Sequence, residues 1–422
     1  MSAVVPNRKS IAPKALSLFS GCGGFCEGMH RAGFRVATAV ELDRFACETY
    51  RLNFPTTKLY EGDVETFNSL TREELQREGH DLDDLSLIFG GPPCQGYSQI
   101  GTRDLDDPRN QLYKQFTTAL TRFQPPMFVM ENVPNMLLLR GGLFRDRALA
   151  EFKKVGYPNP GVVVLDASEF GVPQQRRRVF YVGVRGDICP SYDLGHRMNE
   201  LLDKHRTTRP TTVWEAIGDL PVDVVDSGAT MSYPRASNLS AFMREMRLNT
   251  DGLIYSASQK LTQGGLGNPP SARLHNHHTK EIQERRLRLI RKLAPGLKAD
   301  SLPKHMWDGA RPEKWRRLHP DQLSHTILAQ MHRDLSEFVH PTLDRWITVR
   351  EALRLQSFHD GFVAASSEWQ QFKQVGNAVP PLLARVVGLA AREVLAEVEG
   401  HKEKPARARP PKGSQMALDG VR

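Results

Sequence analysis

The chain has few cysteines and no long hydrophobic run. Five cysteines are spread over 422 residues without a Cys-x-x-Cys pair, so neither a disulfide framework nor a structural zinc site is expected. No run approaches the ~18 apolar residues of a membrane span, and no signal-peptide core precedes Lys14. These absences exclude the disulfide-rich secreted and membrane-spanning classes. They predict a cytoplasmic protein with reduced thiols, and the length predicts two or three domains.

Histidines are the other candidate metal ligands. His275, His277 and His278 lie close together, but no cysteine or carboxylate stands near them at the spacing of a ligand set. We therefore predict no metal site.

The net charge of +9 is concentrated in two stretches. Residues 271–320 contain 13 Lys and Arg against 5 Asp and Glu, and residues 401–422 contain 6 against 2. Such an excess is typical of a surface that binds a polyanion, with Arg316 and Arg317 as candidate phosphate contacts. The alternative is a solvated helix over 280–293, stabilised by the pairs Glu281/Arg285 and Glu284/Arg288. Residues 401–422 are expected to form a disordered tail.

The first part of the chain has the rhythm of a nucleotide-binding α/β unit. A strand from Lys14 enters the turn Gly21–Gly24, and the next strand ends at Glu41, 20 residues after Gly21, where a ribose-binding acid is expected. Cys26 occupies the third glycine position of G-x-G-x-x-G, so the grip on a pyrophosphate is missing. This favours an adenosine-containing ligand such as S-adenosylmethionine, with Asp63 placed for the adenine amino group. A purely structural turn is the alternative.

A cysteine follows the next buried strand. The strand Leu87–Gly90 ends in a rigid Gly-Pro-Pro turn, and Cys94 comes directly after it. Ligands bind beyond the carboxyl ends of strands in open α/β sheets, so this position suggests a nucleophile. A small buried hydrophobe would sit better inside the strand. The polar residues 95–110 are predicted to form a mobile lid, or alternatively an ordinary surface loop.

A carboxylate ends the following strand. Met127–Met130 leads into Glu131, on the same rim as Cys94. Two further strands, 162–165 and 179–184, are predicted to pair around three consecutive arginines. Arg177 is expected to face solvent, while Arg176 and Arg178 share the opposite face.

The whole set of motifs resembles the DNA (cytosine-5)-methyltransferases. The matches occur in the family's order and cover about residues 15–399. They are Phe-Ser-Gly-Cys-Gly-Gly at 19–24, Glu41, Asp63, Gly-Pro-Pro-Cys-Gln at 91–95, Glu-Asn-Val at 131–133, Gln-x-Arg-x-Arg at 174–178, Arg-Leu-Gln at 354–356 and Gly-Asn-Ala-Val-Pro-Pro at 376–381.

The resemblance implies an α/β fold, a doubly wound and mostly parallel sheet of the class I S-adenosylmethionine-dependent methyltransferase type, with a smaller irregular target-recognition lobe. Residues 1–187 would form the catalytic and cofactor-binding lobe, completed by 371–400. Residues 188–370 would form the target-recognition lobe, which contains most of the basic excess.

The resemblance also implies roles for individual residues. The catalytic set would be Cys94, Glu131, Arg176 and Arg178. The cofactor site would be lined by Phe19, Gly21, Gly23, Gly24, Glu41, Leu42, Asp63, Val64, Pro93, Leu112, Asn377 and Ala378.

The implied activity is transfer of a methyl group from S-adenosylmethionine to carbon 5 of a cytosine flipped out of double-stranded DNA. A standalone prokaryotic or phage enzyme is expected, cytoplasmic at the nucleoid and monomeric, with a cognate restriction endonuclease that acts separately. A tRNA-methylating branch shares these motifs but carries a Cys-Phe-Thr motif, whereas Cys189 is followed by Pro190. A catalytically silent DNA-binding regulator would have signalled itself by loss of Cys94 or Glu131.

Overall fold

The computed structural model describes residues 12–93, 112–188, 193–234, 238–247, 273–307, 315–331 and 337–402. Strands and helices alternate in the first part of the chain. The strands are β1 (Lys14–Leu18), β2 (Arg35–Glu41), β3 (Lys58–Glu61), β4 (Leu87–Gly90), β5 (Met127–Asn132), β6 (Gly161–Asp166) and β7 (Arg177–Val184). The helices are α1 (Gly24–Arg31), α2 (Arg44–Asn53), α3 (Val64–Ser69), α4 (Arg72–Arg77), α5 (Leu112–Phe123), α6 (Asn135–Leu138) and α7 (Leu143–Lys154).

These strands form one sheet in the order β3-β2-β1-β4-β5-β7-β6. Strands β1 to β5 are parallel, and β7 is antiparallel to both β5 and β6. The strand order reverses between β1 and β4, where Leu18 pairs with Gly90, so a crevice opens beyond their carboxyl ends. The predicted doubly wound, mostly parallel α/β sheet is confirmed. The predicted β6–β7 pairing is also confirmed, with Val163 opposite Phe180.

Both faces of the sheet are buried, which explains the uninterrupted apolar runs of the strands. In β4, Leu87 and Phe89 enter the hydrophobic cluster that includes α1, while Ile88 enters the cluster on the opposite face. Parallel strands covered by helices on both faces have this pattern. The crevice is therefore held by a rigid three-layer core.

Residues beyond 186 form mostly short elements and one long last helix. The helices are α8 (Leu194–Asp203), α9 (Val213–Ile217), α10 (Ala241–Arg247), α11 (Glu284–Ile290), α12 (Val349–Leu355), α13 (Glu368–Asn377) and α14 (Pro381–Lys402). The strands are β8 (Met231–Ser232), β9 (Arg273–Leu274), β10 (Trp315–Arg317) and β11 (Glu337–Val339), which pair as β8–β9 and β10–β11. In the part of the chain that the structure describes, no helix is long and apolar enough to cross a membrane.

The predicted domain boundary at 187/188 does not separate two packing units. Helix α8 lies against β6 so closely that a Cβ on Gly161 would be 2.6 Å from the Gly195 nitrogen. Arg197 of α8 also pairs with Glu397 of α14. Helix α14 in turn packs on α1, where a Cβ on Gly28 would be 2.2 Å from the Ala384 Cβ. Residues 194–203 therefore belong with the large lobe, which the last helix completes.

Helix α11 is shorter than the predicted helix over 280–293. Its N-cap is Gln283, and Lys280 lies before it, with its backbone N–H 3.2 Å from a Glu368 carboxylate oxygen. The ammonium of Lys280 pairs with Glu337. These tertiary partners hold Lys280 outside the helix, while the Glu284–Arg288 pair is present at 3.3 Å.

Candidate active site

The Gly-rich turn after β1 has a backbone that glycine alone adopts easily. Gly21 and Gly23 have φ of 55° and 100°, and Phe19 also has a positive φ of 55°. A Cβ on Gly24 would lie 2.5 Å from the Val379 carbonyl oxygen, so the turn fits closely against the start of α14. The turn opens directly into α1 and directs its first backbone N–H groups to the crevice.

Glu41 organises this turn from the end of β2. Its Oε2 accepts the Gly21 N–H at 2.6 Å, and its Oε1 accepts the Asp43 N–H at 2.7 Å. Burial raises the pKa of the Glu41 carboxyl, and the two backbone bonds oppose that shift. The adjacent Leu42 side chain is 70% exposed. The Glu41 carboxyl is thus adjacent to an exposed apolar side chain, that of Leu42.

Asp63 follows β3 and caps α3. Its carboxylate accepts the N–H and the hydroxyl of Thr66, both at 2.7 Å, and these bonds lower its pKa. Val64 beside it is buried. Carboxylate oxygens have further lone pairs, so Asp63 retains acceptor capacity at the rim.

The stem of the predicted nucleophile is fixed onto the neighbouring strand. A Cβ on Gly91 would lie 2.7 Å from Glu131 Oε2, and the Asn132 amide donates to the Pro92 carbonyl at 3.0 Å. Pro93 is exposed. Cys94 and the predicted lid 95–110 lie outside the described residues. The chain thus passes beside Glu131 at Gly91, three residues before Cys94.

Glu131 pairs with Arg178 across β5 and β7. Arg178 Nε lies 2.7 Å from Glu131 Oε1, and their side chains are 13% and 12% exposed. Burial raises the pKa of Glu131, opposed first by the charge of Arg178 and then by that of Arg176. The pair is therefore largely buried, and its carboxyl holds its proton more tightly than usual.

The structure corrects the role predicted for Arg176. This side chain is 1% exposed, and its guanidinium donates to the carbonyls of Ile327, Gly376 and Ala378 at 3.1, 2.7 and 3.0 Å. Because its side chain is buried and three of its N–H groups donate to backbone carbonyls, Arg176 is not exposed to a substrate ring or phosphate. Arg177 is exposed, as its place in the strand predicted.

The remaining predicted cofactor residues lie at the end of α13 and at the start of α5. Asn377 ends α13 and is exposed, and the Ala378 Cβ is 3.1 Å from the Cβ position of Gly24. Leu112 is the half-buried first residue of α5. Sequence reasoning missed Asn132, whose bond to Pro92 locates the stem. Its place in Glu-Asn-Val was the available signal.

Arg317 is also corrected. It is 4% exposed and bonds the carbonyls of Leu293, His340 and Ile290 and the carboxylate of Asp344, so it does not contact phosphate. The exposed cations of the basic block that the structure describes around α11 are Arg285, Arg288, Arg291 and Lys292.

The histidines have ordinary protein partners. His277 contacts the Pro221 carbonyl at 2.9 Å, and His278 contacts the Gln371 amide oxygen at 2.9 Å. Within the described ranges, no three His, Cys, Asp or Glu side chains are grouped as a metal site requires.

Comparison with known proteins identifies the family of this chain. The C-5 cytosine-specific DNA methylase family matches residues 14–392. The type II methyltransferase M.AgeI of Thalassovita gelatinovora is 34% identical over 89% of this chain and 98% of its own length. M.XorII, a type II methyltransferase of Xanthomonas oryzae pv. oryzae, is 32% identical over 97% of this chain and 88% of its own length. A crystal structure of a DNA modification methyltransferase encoded within an E. coli prophage has a TM-score of 0.72 and 26% identity, covering 91% of this chain and 99% of that one. The chain therefore belongs to the C-5 cytosine-specific DNA methylases and is a DNA (cytosine-5)-methyltransferase.

Proposed function

We propose that the crevice beyond β1 to β4 binds S-adenosylmethionine and that Cys94 and Glu131 act together on a cytosine beside it. The observation that carries the proposal is the stem geometry. Gly91 lies against the Glu131 carboxyl, and Asn132 holds the Pro92 carbonyl at 3.0 Å. The stem that leads to Cys94 therefore lies against a largely buried acid, and Cys94 is proposed to act at the same site.

The crevice fits a nucleoside. Leu42, 70% exposed, offers a flat apolar contact for a purine, and Glu41 has lone pairs left for ribose hydroxyls. Asp63 is proposed to accept the adenine amino group. Phe19, Gly21, Gly23, Gly24, Val64, Pro93, Leu112, Asn377 and Ala378 complete the proposed wall. When bound, S-adenosylmethionine supplies an electrophilic methyl group on a sulfonium sulfur.

Carbon 5 of cytosine is a weak nucleophile, and Cys94 is proposed to activate it. Its thiolate adds to carbon 6, and the displaced ring electrons make carbon 5 nucleophilic enough to take the methyl group. The transfer leaves S-adenosylhomocysteine. The carbon 5 proton then passes to a base, ring nitrogen 3 returns its proton to Glu131, and the bond between carbon 6 and sulfur breaks, which restores the aromatic ring and the thiolate. The thiolate is regenerated, as catalysis requires.

Glu131 balances the charge that develops on the ring. Burial raises its pKa, so the carboxyl is proposed to keep a proton for ring nitrogen 3 when the thiolate adds. Arg178, 2.7 Å away, orients this carboxyl and presents its forked donors to the ring oxygen or an adjacent phosphate.

This chemistry requires the target cytosine to leave the DNA double helix. A cytosine inside a stacked duplex is not accessible to a thiol, so the target nucleotide is proposed to swing out into the site. Residues 204–370 are proposed to read base edges in the major groove, and the exposed cations around α11 are proposed to bind phosphates.

The biological setting is proposed from the relatives. M.AgeI and M.XorII are named type II methyltransferases. We propose that this enzyme is a monomer located at the nucleoid. It would protect a DNA sequence against a restriction endonuclease that acts separately.

Bisulfite sequencing of DNA from a host that expresses the protein tests the proposal and finds the target sequence. Wild-type protein should leave cytosines protected within one sequence motif, and Cys94→Ala should leave none. Protection by the alanine variant, or no protection by folded wild type, would refute it.

A further inference from the structure

Arg176 joins stretches of chain that are far apart in the sequence. Its Nη1 donates to the Ile327 carbonyl at 3.1 Å. Its Nη2 donates to the carbonyls of Gly376 at 2.7 Å and Ala378 at 3.0 Å. One buried cation therefore bonds a segment of the predicted target-recognition lobe and the two residues that flank Asn377.

Two glutamines repeat the same connection. Gln174 accepts the Ile327 N–H at 3.0 Å and donates to the Gln356 amide oxygen. Gln356 donates to the carbonyls of Val375 and Ala378 at 2.9 and 2.8 Å. Ile327 and Ala378 are thus each held by two side chains of one buried network.

The backbone segments joined by this network are also in close contact. A Cβ on Gly376 would lie 2.4 Å from both the Leu328 carbonyl carbon and the Ala329 nitrogen. On the other side, a Cβ on Gly24 would lie 2.5 Å from the Val379 oxygen. Residues 376–379 are therefore sandwiched between residues 327–329 and the Gly-rich turn.

The segment 324–329 is anchored from its outer side as well. The Gln175 N–H donates to the Ser324 carbonyl at 2.8 Å, and the Thr326 hydroxyl donates to the Gln175 carbonyl at 2.5 Å. Arg178, the partner of Glu131, follows three residues later on β7. The segment is thus bonded both to the chain that enters β7 and, through Arg176, to residues 376–378.

We propose that Arg176 is a positioning residue that couples the seating of segment 324–329 to the affinity of the cofactor site. It touches neither cytosine nor cofactor. It fixes the backbone on both sides of Asn377. When Arg176 is bonded to both stretches, segment 324–329 and residues 376–379 become ordered together. This inference rests on the proposed function of the crevice as the S-adenosylmethionine site.

Calorimetry with S-adenosylhomocysteine in the absence of DNA tests the coupling. Arg176→Gln cannot satisfy three carbonyls, so the affinity should fall roughly tenfold or more. The KM for S-adenosylmethionine should rise by the same factor, while kcat at saturating cofactor should stay within about threefold of wild type. Arg177→Gln, the exposed neighbour, should bind as wild type does.

Two further variants keep the test decisive. Thr326→Val removes the outer anchor without a change of volume and should lower the affinity by up to about fivefold if the segment is coupled. Arg176→Lys keeps the charge but has no fork, so its affinity should be intermediate, and it decides the matter if the glutamine variant does not fold. Melting curves establish folding.

The outcomes separate the alternatives. Unchanged affinity in a folded Arg176 variant, or in Thr326→Val, would overturn the coupling. A loss of kcat with unchanged KM would place Arg176 on the reacting atoms and would also overturn it. Failure of the wild type to bind S-adenosylhomocysteine would instead contradict the proposed cofactor site.

Discussion

Replacement of Glu41 with glutamine tests the acidic wall of the crevice. The Glu41 carboxylate accepts the N–H groups of Gly21 and Asp43 at 2.6 and 2.7 Å. Glutamine has the same shape, but its amide nitrogen accepts no hydrogen bond, so one backbone N–H loses its acceptor. The Glu41 carboxylate is also proposed to bind the ribose hydroxyls, and a charge-assisted bond contributes ~1.5–3 kcal/mol, so the affinity for S-adenosylhomocysteine should fall roughly ten- to a hundredfold.

Titration calorimetry measures this effect, with Glu73→Gln on the exposed face of α4 as the matched control. The pH dependence adds a second readout. Burial raises the pKa of Glu41, so the wild type should lose affinity on acidification at a higher pH than an ordinary glutamate would dictate. The glutamine variant should show no such step. Equal affinities of Glu41→Gln and wild type at neutral pH would refute the assignment.

Three other predictions concern separate parts of the molecule. Asn132→Leu removes the hydrogen bond to the Pro92 carbonyl. In an assay of radiolabelled methyl transfer, kcat should fall about tenfold or more, while the KM for the cofactor stays unchanged. An unchanged kcat would contradict the proposed role of the stem. Burial raises the pKa of Glu27 from 4.5 to about 7, so its contribution to stability is fully present below pH 4.5 and is lost as pH rises to 7. The free energy of unfolding of wild type minus that of Glu27→Gln, from urea titrations, should therefore decline over this window by at most about 3 kcal/mol, and a flat difference would contradict the assignment. Arg285→Gln with Lys292→Gln should reduce the slope of log affinity for a plasmid fragment against log salt by up to ~2, whereas an unchanged slope would move the phosphate contacts elsewhere.

The sheet and the strand ends were predictable because their signals are local. Runs such as Leu87–Gly90, bounded by glycine and proline, identify buried parallel strands. Since parallel strands end on one edge, Glu131 was expected on the same rim as Cys94. The structure places Glu131 near the end of β5, where it pairs with Arg178, a pair that the sequence did not predict.

The arginines were not predictable in the same way. Arg176 and Arg317 were assigned to substrate and to phosphate because a charged side chain is expected at a surface or a ligand. Their partners are backbone carbonyls, which leave no trace in the sequence, and those of Arg176 are 151 to 202 residues away. The place of α8 beside β6 was missed for the same reason, because its packing partners are remote in sequence.

Covalent trapping with DNA that contains 5-fluorocytosine tests the central claim most directly. Carbon 5 of this base has no proton to lose, so elimination is blocked and the adduct with the attacking thiol persists. Wild-type enzyme supplied with S-adenosylmethionine should form a denaturant-resistant complex, and peptide mapping by mass spectrometry should locate the bond on Cys94. Cys94→Ala should form none while still binding S-adenosylhomocysteine. A complex that survives in the alanine variant, or that maps to another residue, would contradict the account.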